Sequence, residues 1–243
     1  MSIVYGPNVG LMAGAADGDL YGDAMRAFQR GVDSFLMPTV DGYRINTPPA
    51  SPVEGSFYII GAAPSGDWAG HAREMARWSS HISDWDFYTP KNGWMAQSKK
   101  ARETYRYTGG AWEIFYQEGT WTPTISGSIT PGSNTYGYNN GVFVKNGSSV
   151  SCPFSIYMTN KDPLIAGNLS IAGLPFVPLS RLGGCAIGYM YGLALSGSQL
   201  TAWPGAATGA VAMLAKSGAP YGPLVAADLA SSCELYGVLT FNI

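Results

Sequence analysis

Apolar residues recur along the chain with two different periods. Val150, Cys152, Phe154, Ile156 and Met158 stand at every second position. That is the period of a strand with one buried face. Upstream lies Val142-Phe143-Val144, and Asn146-Gly147 sits between the two runs. Asn-Gly tolerates the positive φ of a two-residue hairpin turn, so Gly141 to Met158 predicts a hairpin. A lone hairpin is marginal, and further strands, from the same chain or a neighbour, must cover its apolar face. The last stretch alternates again: Leu235, Gly237, Leu239 and Phe241 against Tyr236, Val238, Thr240 and Asn242. It predicts a closing strand tied into the sheet.

The second period is helical and occurs once. Leu20, Ala24, Ala27, Phe28, Val32 and Phe35 fall along one side at steps of three and four, Asp17 or Asp19 can cap the start, and Pro38 stops it. Residues 17–37 are therefore expected to be helical, after a glycine-rich arm over 1–16. Leu20, Ala24, Phe28, Val32 and Phe35 would form either a packing face or the seam of a three-helix bundle.

From Tyr43 to Phe115 turns punctuate the chain. Thr47-Pro48-Pro49-Ala50-Ser51-Pro52 excludes helix. Short strands are expected at Ser56–Ile60, Met75–Trp78 and Trp85–Tyr88, and a hairpin at Tyr105–Ile114 with Gly109-Gly110 at its tip. The expected fold is mainly β: one N-terminal helix, a small antiparallel β domain over 38–117, and an antiparallel sandwich-like domain over 118–243.

Charge alters this picture at one place. Of 14 basic and 16 acidic residues, only Lys145, Lys161, Arg181, Lys216, Asp162, Asp228 and Glu234 follow Gly119. Charged residues make up 12% of the chain, against about a quarter in average proteins. So uncharged a half is expected to cover its sheet faces with two further copies of itself, as a homotrimer. Net charge is −2, which gives no electrostatic reason to expect nucleic acid or anionic membrane. The most apolar stretch, Gly205 to Ala215, is too short to span a bilayer as a helix.

Candidate chemistry is sparse. Cys152, Cys185 and Cys233 are widely spaced and unpaired, which suits buried free thiols better than a zinc site. His71 and His81 lie in expected turns without a second ligand pair. Asp84 and Asp86 flank Trp85, but sequence proximity does not supply the carboxylate geometry of a glycosidase. Neither a nucleophile elbow nor a phosphate-binding glycine loop occurs. No catalytic residue, metal or cofactor is therefore expected. Tyr189, Tyr191, Trp203 and Tyr221 sit among glycine and proline in the uncharged half. Core or subunit interface would explain them, and so would stacking on a sugar, since glycans are held by hydrogen bonds and aromatic faces more than by ion pairs.

Two resemblances extend this reading. Thr47 to Gly55, Trp68 to Ala72, Ala76 to Trp78, Pro90 to Trp94 and Gly110 to Trp112 resemble, in order, the pattern of a domain family of unknown function found in phages, prophages and gene-transfer agents. Ser79 to Asp84 departs from that pattern. The likeness covers roughly 17–116 and implies a virion or virion-like particle. Gly119, Trp121, Pro123, Gly141, Lys145 and Gly173-Leu174-Pro175-Phe176 resemble the C-terminal domain of phage tail fibres, which implies a three-chain β structure. Together they imply a non-enzymatic, trimeric fibre or spike, attached to tail, baseplate, neck or head proteins, that binds host-surface polysaccharide. A connector carrying another fibre and a capsule depolymerase are the competing expectations.

Overall fold

The computed structural model describes residues 31–32, 38–80, 82–179, 183–195, 199–205, 211–217 and 222–243. The chain is mainly β and divides into two compact units, Met1–Tyr116 and Gln117–Ile243. Of the expected helix, only Gly31 and Val32 fall among the described residues; both are helical, and Val32 is half-buried. Leu20, Ala24, Phe28 and Phe35 lie outside them, as does the arm over 1–16.

The first unit holds β1 (Thr39–Val40), β2 (Gly42–Ile45), β3 (Phe57–Ile60), β4 (Met75–Ser79), β5 (Asp84–Tyr88), β6 (Met95–Ser98), β7 (Glu103–Thr108) and the first part of β8 (Ala111–Trp121). One sheet runs β2-β3-β4-β5; the other has the order β1-β6-β7-β8. The expected all-antiparallel arrangement is corrected at two pairs, because β1–β6 and β2–β3 are parallel.

Tryptophans organise the cores of this unit. Trp68 and Trp85 are buried with Ile60 and Ala76. Their rings meet edge to face at 5.0 Å, and Trp78 meets Trp85 at 5.2 Å. A second cluster gathers Val40, Phe57, Ile59, Met75, Ala96, Tyr105 and Trp112. Gly109 and Gly110 form the expected tip, both at positive φ.

The second unit takes the rest of β8, then β9 (Thr124–Gly127), β10 (Thr135–Asn146), β11 (Ser149–Asn160), β12 (Leu169–Ala172), β13 (Gly183–Leu193), β14 (Gln199–Pro204), β15 (Val211–Ser217), β16 (Gly222–Pro223) and β17 (Leu229–Asn242). Its strands form two layers, β8-β10-β11-β17-β13 and β14-β15-β12-β9, with β16 beside β15. Val150, Cys152, Phe154, Ile156 and Met158 all face inward, as their spacing predicts, beside Leu235, Leu239 and Phe241 of β17. Ile125, Leu169, Ile171, Leu200, Ala202 and Leu214 of the other layer complete one continuous core. Each fully buried aliphatic or phenyl side chain contributes roughly 1.5–3 kcal/mol.

That core corrects the expectation that these apolar faces need further copies of the chain. The second layer comes from the same chain and covers the inner face. The hairpin turn is also displaced by one residue. Asn146 pairs with Ser149, so the loop is Gly147-Ser148. Gly147 alone has positive φ, as the first position of a type II′ turn requires.

Candidate functional site

With one face of β10-β11-β17-β13 buried, the other faces outward, and the register fixes what stands on it. Tyr138 is opposite Tyr157, Tyr157 opposite Glu234, and Glu234 opposite Tyr191. In the adjoining row Ser155 faces Tyr236, and Tyr236 faces Tyr189. Four neighbouring strands thus bring Tyr138, Tyr157, Tyr236, Tyr189 and Tyr191 onto one surface.

Two bulges make this possible. Tyr136 pairs with Met158 and Tyr138 with Tyr157, so Gly137 is an extra residue on β10. Ile187 pairs with Gly237 and Tyr189 with Tyr236, so Gly188 is an extra residue on β13. Strict alternation would put Tyr138 on the side of Tyr136, and Tyr189 on the side of Ile187, both of which pack on the core. One inserted residue reverses the face of everything beyond it.

The rings touch. Tyr189 stacks on Tyr236 with centroids 5.3 Å apart and planes 25° from parallel. Tyr138 is parallel to Tyr236 within 16°, and its centroid lies 5.5 Å from that of Tyr157. The Tyr138 and Tyr236 hydroxyls share a short hydrogen bond, and the Tyr236 hydroxyl donates to Glu234 Oε2 at 3.4 Å. The bond to Tyr138, followed by desolvation and the Glu234 charge, pushes the Tyr236 phenol well above its ordinary value. Tyr191 is 62% exposed and Tyr189 47%, so their rings are open to solvent. On the same face Val142, Val144 and Val238 are also exposed, and a shallow depression of about 320 Å³ lies between Asn140, Val142, Pro153 and Ser155.

The other candidates lie elsewhere. Trp203 is half-buried on β14, where Leu200, Ala202 and Pro204 face the core, so it points away from the core on the other layer. The sequence-chosen set is thereby divided, Tyr189 and Tyr191 standing together without Trp203. Tyr221 and His81 fall outside the described residues. His71 has its ring on Phe87 at 3.6 Å and its Nδ1 2.8 Å from Glu74 Oε2. Asp84 Oδ1 accepts the Trp85 N–H, and Asp86 stands opposite Arg77. Among the described residues no three histidine, cysteine or acidic side chains converge as metal ligands, and no helix is long and apolar enough to cross a membrane. Cys152 and Cys233 are buried and Cys185 is half-buried, all as free thiols.

Sequence reasoning missed Tyr138, Tyr157 and Tyr236. Their signal was present in Tyr136-Gly137-Tyr138 and Ile187-Gly188-Tyr189, where glycine interrupts a strand pattern between side chains of unlike environment.

Residues 26–113 are similar to a family described as a protein of unknown function, DUF2793. No curated protein matches the chain. Among solved structures, the Dettilon tailspike protein superposes with a TM-score of 0.45 and 21% identity, over 52% of this chain and 23% of its own. The chain thus spans less than a quarter of that tailspike's length, and so slight an overlap transfers neither fold nor function.

Proposed function

We propose that this chain is a non-enzymatic structural protein of a phage or gene-transfer-agent particle, a short fibre or spike whose second unit binds host-surface glycan. The observation that carries the binding role is the five-tyrosine face. Apolar C–H faces of a pyranose ring stack on aromatic rings, while phenol hydroxyls and the Asn140 and Ser155 side chains can hydrogen-bond sugar hydroxyls. Glu234 is the one charge paired into the tyrosine rows, so a neutral sugar suits the face better than an acidic one. The particle role is supported by the ordered motifs from Thr47 to Trp112 and their resemblance to a particle-borne family.

Stacking on one or two rings gives only about 0.5–1.5 kcal/mol per aromatic pair, which is weak for a single site. Several copies on one particle would raise avidity without new contacts. The same reading takes the chain as a homotrimer, with Val142, Val144 and Val238 as uncharged surface available for burial. A monomeric native mass at micromolar concentration would count against that part.

The deciding experiment measures binding of the full chain to purified host polysaccharide, beside Tyr191→Ala and the Tyr189→Ala/Tyr191→Ala pair. Both side chains are exposed, so truncation leaves the core intact. Binding lost in the pair, with an unchanged melting temperature, supports the proposal. Equal binding by the pair refutes the tyrosine face. No binding by the wild type leaves the connector as the better reading, and shortened polysaccharide chains would establish the depolymerase.

A further inference from the structure

The first unit contains a second site, independent of the glycan-binding reading. A cavity of about 180 Å³ is lined by Arg44, Ile60, Gly61, Ala62, Arg73, Ala111 and Trp112. Two arginines meet there, Arg44 from β2 and Arg73 from the turn before β4. Arg44 Nη2 donates to the Trp112 carbonyl at 2.7 Å, and its guanidinium lies 5.0 Å from the Tyr43 ring centroid. Arg73 Nη1 donates to the Gly110 carbonyl at 3.1 Å. Neither arginine pairs with a carboxylate among the described residues. The candidate acids are engaged elsewhere: Glu74 by His71 and Thr89, Glu113 by Arg106, Glu103 by Tyr105.

Each guanidinium has five N–H donors in a planar fork and, among the described residues, donates one to a backbone carbonyl. The remaining donors of two forks, beside one small cavity, match the oxygens of a carboxylate or phosphate. The anchoring is reciprocal, because Trp112 Nε1 donates to the Arg73 carbonyl at 3.0 Å. The hairpin that receives both side chains therefore also holds the backbone of one of them.

The backbone is unusual at both positions. Arg44 has φ of 54° and Arg73 has φ of 65°, and of the three non-glycine residues at positive φ among the described residues, two line this cavity. A left-handed backbone is costly for a long side chain, and such conformations gather at ligand sites. Glycine would be the relaxed choice at either position, but glycine would remove the guanidinium.

We propose that Arg44 and Arg73 form an oxyanion-binding site, taking a carboxylate or phosphate group carried by a small or extended ligand. The volume suits one such group and not a whole sugar ring with its substituents.

The test uses the full chain and follows the Trp112 indole N–H by NMR during titration with inorganic phosphate, glucuronate or neutral glucose at constant ionic strength. Arg44→Gly, Arg73→Gly and the double variant are compared, since glycine keeps the backbone conformation while deleting the fork. The expected result is a saturable shift with phosphate or glucuronate and none with glucose, weakened about tenfold by each single variant and absent in the double. Tighter binding of glucuronate would assign a carboxylate ligand, and tighter binding of phosphate a phosphorylated one. Melting temperatures of the single variants should hold or rise. No saturable shift in the wild type, or equal titration of wild type and double variant, overturns the proposal. A lowered melting temperature together with anion-independent spectra would also overturn it, by showing that the arginines are struts for the Gly110–Trp112 hairpin.

Discussion

The Trp121 indole lies directly over Gly141, where a side-chain carbon would collide with its Nε1, and that nitrogen donates to the Val142 carbonyl at 3.1 Å. Phe143 repeats the arrangement over Gly119, where an added carbon would stand 2.6 Å from its ring. Three residues of the fibre-like motif, Gly119, Trp121 and Gly141, thus form with Phe143 one reciprocal packing device, in which each aromatic side chain occupies space that a glycine leaves open. Gly141→Ala should accordingly destabilise the second unit by about 1–3 kcal/mol through overpacking. Gly184→Ala is the control, because nothing stands within 4 Å of the added carbon. Urea denaturation of the two variants checks the contrast, and equal midpoints would refute it.

Tyr105 provides a prediction in the alkaline range. Desolvation, reinforced by its 2.7 Å hydrogen bond to Glu103, pushes its phenol up from the ordinary value of 10.0 to about 12. A group whose folded value is raised lends stability that is fully present below the unfolded value and is lost as pH rises through the folded one. The contribution of Tyr105 is therefore complete below pH 10 and disappears between pH 10 and about 12. Tyr105→Phe keeps the ring that stacks on Tyr43 at 4.2 Å and removes the ionisation. Its stability should fall less steeply over that window than the wild type's, measured by denaturant midpoints at successive pH values.

The three thiols should be slow to react. Burial pushes Cys152 and Cys185 up to about 12 and Cys233 to about 11. The thiolate is the nucleophile, so a disulfide reagent at pH 8 meets almost none of it. Labelling should be negligible in the native chain and complete at three sites after unfolding. Cys185 should react first, being half-buried where the other two are fully buried. Rapid native labelling of Cys152 would contradict the packing of β11.

How far the sequence foretold this structure depends on whether an element obeys a single period. Cys152, Phe154 and Ile156 do, and their inward face was legible. So was the closing strand of Leu235, Leu239 and Phe241. β1, β2 and β6 were not, because strands of two to four residues are too short to show a period, and the parallel pairing of β1 with β6, far along the chain, leaves no local signal. The hairpin turn was misplaced by one residue, since Gly147 needs only itself at positive φ while Asn146 extends the ladder. At the candidate site, Tyr189 and Tyr191 stood out by composition. Their partners were hidden by the two bulges, because face assignment by alternation fails wherever an extra residue enters a strand.

Those two bulges should respond differently to the same substitution. A methyl carbon at Gly137 would stand 2.6 Å from Tyr157 Cδ1 and 3.3 Å from Thr159 Cγ2, so it must displace the Tyr157 ring. At Gly188 the nearest atom is the Tyr236 carbonyl at 3.9 Å, an ordinary contact. Neither glycine has positive φ, so backbone strain does not separate them and the difference is one of space alone. Gly137→Ala should cost about 1–3 kcal/mol and alter the environment of Tyr138, Tyr157 and Tyr236, seen as shifts of their ring resonances. Gly188→Ala should stay within about 0.5 kcal/mol of the wild type with those resonances unmoved. If the open face binds sugar through the tyrosine rows, Gly137→Ala should weaken that binding while Gly188→Ala preserves it. The reverse order would show that the register at β13, and not the ring packing between β10 and β11, sets the geometry of the face.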